Sequence, residues 1–156
     1  KSSALPILRK DFILDESQLV ESKIAGADCI LLILACLDRA KYRELIDLTK
    51  ILEMDALVEV HNKEELEIAL EYNAELIGIN NRNLENFEVR INTSMDLADL
   101  VNSEKIFLVS ESGIYDRETI LQLQSKKING FLIGESLITS KSIPNCLKNL
   151  LGDNNE

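Results

Sequence analysis

The chain has 156 residues, 46% of them hydrophobic, enough for one domain with a real core. Its mean hydropathy is close to zero, and no run of about 18 apolar residues is present to span a membrane. A formal net charge of −10 and a pI near 4.7 argue against nucleic acid as a partner, although a few local cations and backbone N–H groups can still hold one small anion.

Short β-rich runs alternate with helical patterns along the chain. The first strand is expected over residues 5–8 and ends in Arg9-Lys10-Asp11-Phe12. Asp15 caps a helix to about residue 24, and Gly26 terminates it. The run CILLILA, residues 29–35, reads as a fully buried strand. Asp38 caps the next helix, where Tyr42, Leu45, Ile46, Thr49 and Leu52 keep helical spacing. Residues 56–60 form the third strand, which ends at His61. Asn62 and Glu65 resemble a capping box, and Leu66, Ala69 and Leu70 give that helix its buried face. Residues 76–80 form the fourth strand, and Leu97, Leu100 and Val101 share one face of the helix that follows. The fifth strand, residues 106–109, runs into Ser110-Glu111-Ser112-Gly113, after which Asp116 caps a helix to about residue 127. The last strand, residues 131–133, lies between Asn129-Gly130 and Gly134-Glu135-Ser136. Ile143, Leu147, Leu150 and Leu151 mark a terminal helix. The expected division is one domain over residues 1–151 and a polar, frayed tail over 152–156.

These are six β/α units, the pattern of a parallel α/β sheet, either open and doubly wound or closed as a barrel. No GxGxxG or Walker motif follows the first strand, and the strands repeatedly end in polar or charged residues, which favours a TIM-type (β/α)8 barrel. A complete barrel has eight strands in about 250 residues, so this reads as an incomplete six-unit portion. The chain opens on Lys1, and Lys1-Ser2-Ser3 is no signal peptide, so an internal start is expected. Cys29, Cys36 and Cys146 are odd in number and form no CxxC. They read as buried, reduced thiols of a cytoplasmic protein. A single histidine, His61, argues against a His-based metal site or a Ser-His triad.

The segment LIGINNRNLENF, residues 76–87, breaks from a buried strand into Asn80, Asn81, Arg82 and Asn83. Polar groups at a buried strand's C-terminal end are where α/β folds place ligand chemistry, and the competing reading is a loop with Asn turns and a surface Arg. Lys10, just past an apolar strand, either snorkels to solvent or serves as a general acid in a partly dry pocket. Glu59 lies between Val58 and Val60 in a buried strand, where an unpaired carboxylate is costly. Period-two alternation turns Leu57 and Glu59 inward and the valines toward the helices. Glycines in Ser110-Glu111-Ser112-Gly113-Ile114 and Ile133-Gly134-Glu135-Ser136 can turn backbone N–H groups toward an anion.

In this order and spacing, Leu8-Arg9-Lys10-Asp11-Phe12, Leu57-Val58-Glu59-Val60-His61, Ile77-Gly78-Ile79-Asn80-Asn81-Arg82-Asn83-Leu84, Val109-Ser110-Glu111-Ser112-Gly113-Ile114 and Ile133-Gly134-Glu135-Ser136-Leu137 resemble the indole-3-glycerol phosphate synthase family of tryptophan biosynthesis. The resemblance runs over residues 6–151 and implies a TIM barrel. It implies a carbon–carbon lyase that closes the indole ring of 1-(2-carboxyphenylamino)-1-deoxyribulose 5-phosphate with loss of CO2 and water. Lys10 would be the general acid, and Glu59 the carboxylate acting as base and stabilising developing positive charge. Asn80 and Arg82 would position the substrate, and Glu111 and Ser112 would line the site. Gly113, Gly134 and Glu135 would bind the phosphate, Glu135 through its backbone N–H. No metal or organic cofactor is implied.

The family's first two strands, with a second lysine, a further glutamate and a serine-containing phosphate loop, have no counterpart here. Asn83 also stands where Asp is commoner. The chain is therefore expected to be inactive alone. An unclosed barrel would expose two strand edges, and self-association, a partner, or residues ahead of Lys1 are expected to cover them. Two alternatives stay open at this point. One is a phosphoribosylanthranilate isomerase-like barrel, which wants a Cys/Asp or Asp/Asp pair at its strand ends. The other is a non-catalytic barrel remnant.

Overall fold

The computed structural model describes residues 4–152. Its elements are β1 (Leu8–Arg9), α1 (Glu16–Ala25), β2 (Cys29–Ile33), a 3-10 turn (Leu34–Cys36), α2 (Arg39–Ile51), β3 (Asp55–Val60), α3 (Lys63–Glu71), β4 (Leu76–Asn80), α4 (Asn92–Ala98), β5 (Phe107–Glu111), α5 (Arg117–Ser125), β6 (Gly130–Leu132), α6 (Glu135–Ile138) and α7 (Ile143–Leu151). The strands are hydrogen-bonded in sequence order, β1 to β6. β1 pairs parallel with β2, β2 with β3, and β5 with β6. A doubly wound sheet reverses its strand order at a switch point, whereas sequential order is that of a (β/α) barrel. The chain separates into two compact units, residues 1–78 and 79–156, divided inside β4. Among the described residues no helix is long and apolar enough to cross a membrane.

In the first unit the expected caps form. The Asp15 carboxylate accepts from Ser17 N–H, Gln18 completes the box, and Gly26 at φ 88° ends α1. Asp38 caps α2, whose buried side carries Tyr42, Leu45, Ile46 and Thr49. β1 is shorter than expected and begins only at Leu8. Pro6 has no N–H to give a ladder, and Ile7 is tied to the residues leading into β2 instead. Its N–H donates to Asp28 Oδ2 at 2.8 Å, and its carbonyl accepts from Asp28 N and Cys29 N. β2 stops at Ile33, and Leu34–Cys36 coil into the 3-10 turn. The cysteines are all free, but they are not all buried: Cys36 is exposed, and Cys29 and Cys146 are half-buried. Burial pushes the Cys29 thiol up to about 11.

In the second unit α4 ends at Ala98. Leu100 lies past that end and is exposed, while Leu97 and Val101 are buried, so the expected common helical face does not exist. β5 runs on to Glu111, and α5 stops at Ser125. β6 starts at Gly130, and the short α6 was not legible from the sequence pattern. Gly152, at φ 83°, closes α7. The remainder of the expected tail, residues 153–156, and Lys1-Ser2-Ser3 lie outside the described residues.

Asn81, just past β4, knots this second unit together. It is 2% exposed. Its amide nitrogen donates to Ser110 Oγ at 3.0 Å, Glu111 O at 3.0 Å and Ser112 O at 3.1 Å. Its side-chain oxygen accepts from Ser94 N–H at 3.0 Å, and Ser94 Oγ lies 2.7 Å from Ser110 Oγ. Its backbone N–H donates to Glu111 O and its carbonyl accepts from Arg90 N–H, both at 2.9 Å. One side chain thereby satisfies buried polar groups of β5 and α4, and the same network fixes the end of β5.

Two stability measurements follow from this packing. Asn81→Ala strands several buried partners and should cost about 2–3 kcal/mol in urea unfolding. Tyr42 is 0% exposed and sits edge-on to Tyr72 at 5.4 Å, and its hydroxyl has no hydrogen-bond partner among the described residues. Tyr42→Phe removes that stranded group and should leave the urea midpoint unchanged or raise stability by up to about 1 kcal/mol.

Candidate active site

The first cluster is built by β1, β3 and α3. Arg9 and Lys10 are neighbours on an extended chain and point apart. Arg9 turns onto α1, donating to Gln18 O at 3.1 Å and Ser22 Oγ at 3.0 Å. Lys10 turns the other way, and its Nζ lies 3.4 Å from Glu59 Oε2. Glu59 is 1% exposed, while Val58 and Val60 are fully buried on the opposite face of β3. The side chain of Lys10 is 42% exposed, so this pair is dry at the carboxylate and open to water at the ammonium, wetter than expected.

His61 belongs to the same cluster. Its Nε2 is 3.2 Å from Glu59 Oε1 and its Nδ1 is 3.1 Å from Glu65 Oε2. Glu65 is held in turn: its Oε2 also accepts the His61 backbone N–H at 2.8 Å, and its Oε1 accepts from Asn62 Nδ2 at 2.7 Å. Asn62 caps α3 as expected, accepting from Glu65 N–H at 2.9 Å. The return bond of the box differs, reaching the N–H of His61 rather than that of the cap residue. Burial would lower the imidazole's pKa, but the attraction of the Glu59 and Glu65 carboxylates outweighs it and raises the pKa to about 9. Sequence reasoning used His61 only to argue against metal and triad chemistry. Its spacing, two residues after Glu59 on a strand and four before Glu65, was the signal available.

The second cluster is built by the ends of β4, β5 and β6. Asn80 Oδ1 accepts from Arg82 N–H at 3.0 Å and from Ser112 Oγ at 2.8 Å. The Arg82 guanidinium is paired with the Glu135 carboxylate. Glu111 closes β5 and is 1% exposed. Ser112 and Gly113 follow it with φ of 66° and 78°. A methyl group added at Gly113 would run into Val89 Cγ1, so the fold itself demands glycine there. At Gly134 an added methyl would meet nothing, so packing does not require glycine at that position. Glu135 then opens α6. Of the remaining amides, Asn81 is internal scaffold, and Asn83 holds a turn by accepting from Glu85 N–H at 2.7 Å and Asn86 N–H at 3.2 Å. Both bonds go to Oδ1, an acceptor that Asp would supply equally.

The structure thus brings Lys10 to Glu59, and it gathers Asn80, Arg82, Ser112 and Glu135 by direct contacts. Gly113 and Gly134 occupy separate turns after β5 and β6.

Residues 1–150 match the family model described as indole-3-glycerol phosphate synthase. The chain is 48% identical over 151 residues to the indole-3-glycerol phosphate synthase of Legionella pneumophila (strain Lens), covering 97% of this chain and 58% of that protein. It is 47% identical over 152 residues to that of Polaromonas naphthalenivorans, covering 97% and 57%. The chain therefore spans a little over half the length of these curated relatives. Among solved structures, a mutant tryptophan synthase alpha-subunit from Pyrococcus furiosus superposes with a TM-score of 0.74 at 16% identity, covering 96% of this chain and 68% of that one. The 3-hexulose-6-phosphate synthase of Salmonella typhimurium gives 0.78 at 12% identity, covering 93% and 71%. At these identities the structural likeness shows the fold alone, an incomplete barrel-type α/β fold of six units. The sequence matches carry the rest: this chain belongs to the indole-3-glycerol phosphate synthase family.

Proposed function

We propose that the chain supplies most of the active-site residues of an indole-3-glycerol phosphate synthase. The enzyme would be a cytoplasmic carbon–carbon lyase of tryptophan biosynthesis that acts on 1-(2-carboxyphenylamino)-1-deoxyribulose 5-phosphate. The observation that carries this reading is the Lys10 ammonium 3.4 Å from the buried Glu59 carboxylate, an acid and a base on separate strands. Ring closure forms a carbon–carbon bond from the aromatic ring to the sugar carbonyl. Lys10 gives that carbonyl oxygen its proton, and the bond to the leaving CO2 returns its electron pair to the ring. The hydroxyl then takes a second proton, from the second lysine that the family implies, and departs as water as the nitrogen lone pair expels it. Positive charge develops on the anilino nitrogen, and Glu59 stabilises it before a proton is lost.

Asn80, Ser112 and Arg82 form one hydrogen-bonded group suited to hold the substrate's polar atoms. Glu111 lines the site beside them. For the phosphate, backbone N–H groups of the Ser112–Gly113 turn and of Glu135 would supply donors without cationic side chains, and the open space over Gly134 would admit it. The chemistry requires no metal or organic cofactor. Family membership sets aside the isomerase-like alternative.

The six units carry Lys10 and Glu59, whereas the family implies a second lysine, a further glutamate and a serine loop on two more units. In a chain that also carries those units, Lys10→Met and Glu59→Gln should each lower kcat by at least about 100-fold. Product formation would be followed spectroscopically, and the 156-residue chain alone should yield none. Full activity in Glu59→Gln, or turnover by the short chain, would overturn the reading. In the same extended chain Gly134→Ala should raise KM roughly tenfold with an unchanged unfolding midpoint. Gly113→Ala should instead lower stability by about 1–2 kcal/mol.

A further inference from the structure

Glu59 presents its two oxygens to two different cationic groups. Oε2 faces Lys10 at 3.4 Å and Oε1 faces His61 Nε2 at 3.2 Å. His61 is itself fixed from behind, because Glu65 takes both its backbone N–H and its Nδ1 while being held by Asn62. The ring therefore has little freedom to turn away from Glu59. The 3-10 turn adds the Cys36 thiol, which feels the charges of both glutamates and is raised for that reason after burial. The facing charged and titratable groups are thus Glu59 from β3, Glu65 from α3, Cys36 from the 3-10 turn and, through Glu59, Lys10.

We propose that His61 is a positioning residue, clamped between Glu65 and Glu59, that holds the Glu59 carboxylate in place and keeps it opposite a cation while Lys10 gives up its proton. The proposal rests on the reading of Lys10 as the acid and Glu59 as the carboxylate of the reaction. Its physical ground is the cost of a buried carboxylate that loses its partner. Once Lys10 has protonated the substrate oxygen it is neutral. With the imidazolium still in contact, Glu59 remains paired through that moment and available to the positive charge that develops next. Asn or Gln at position 61 could hydrogen-bond but could not replace the charge.

The test has two arms. His61 is the only histidine of the chain, so its ring nitrogens are unambiguous in long-range 15N–1H spectra. The imidazole should titrate near 9, and Glu65→Gln and Glu59→Gln should each lower the midpoint by about one pH unit or more. A wild-type midpoint near the ordinary value of 6.5, or one indifferent to both substitutions, overturns the clamp whatever the enzyme does. Because the folded value lies above the unfolded one, the stability that His61 adds over His61→Gln is fully present below about pH 6.5 and is lost as pH rises through about 9.

In the second arm, on the chain with all its units, His61→Gln should lower kcat by up to about 100-fold with KM little changed. Wild-type kcat in that variant overturns the positioning role. Full activity in Glu59→Gln overturns the reading of Glu59 as the reaction's carboxylate, and the titration arm reports on the clamp independently of it.

Discussion

A carboxylate that is 1% exposed at the end of an apolar strand is the constraint on which the first unit turns. Removing such an ion from water costs several kcal/mol, and only close opposite charge with good geometry offsets it. The chain meets that requirement with local devices. Strand alternation sends Glu59 inward while Val58 and Val60 pack on the other face. The break after Leu8–Arg9 sends Lys10 toward Glu59. The capping turn of α3 delivers Glu65 to His61 and so His61 to Glu59. Formal charges along Glu65, His61, Glu59 and Lys10 alternate and cancel when the imidazole is protonated. A single buried charge has become part of a chain of alternating charges that is most open to water at Lys10.

The second unit solves a different problem, holding several strand ends with neutral groups. Asn80 and Asn81 are adjacent in sequence and point oppositely off the end of β4. Asn81 spends its whole amide on Ser94, Ser110 and the carbonyls of Glu111 and Ser112. Asn80 meets Ser112 and the backbone of Arg82 at the polar end. The rigidity of the first is what gives the second a defined position, since both are fixed to the same short segment, Ser110 to Ser112. Positioning here is therefore a property of the backbone as much as of the side chains that face a substrate.

What the sequence made legible was local. Helix starts at Asp15, Asp38, Asn62 and Asp116 were readable because a cap and its N–H partner lie within three residues. The inward turn of Glu59 was readable because alternation has a fixed period. Most of the misses depend on partners remote in sequence or on an element that stops early. Nothing near Asn81 announces that it will bond to residues about thirty positions away. Leu100 fitted a helical face that ends at Ala98. Cys36 looked like part of an apolar strand until Leu34–Cys36 coiled out of it. His61 was set aside because a lone histidine makes neither a metal site nor a triad, a test that never asks which carboxylates stand around it.

The two glycine turns show how the same residue type carries different information. Gly113 sits at φ 78° against Val89 and Ile91, so conformational and steric demands of the fold account for it completely. Gly134 has ordinary φ, −126°, and empty space where a side chain would go. A side chain there would not strain the backbone or touch a neighbour. The absence of one is thus unexplained by folding and fits a close approach of something other than protein. The next residue sharpens the point: Glu135 commits its carboxylate to Arg82, and its carbonyl accepts from the N–H and Oγ1 of Thr139 at the end of α6. With the acidic group neutralised by a guanidinium, an anion can come near this turn without facing a bare negative charge.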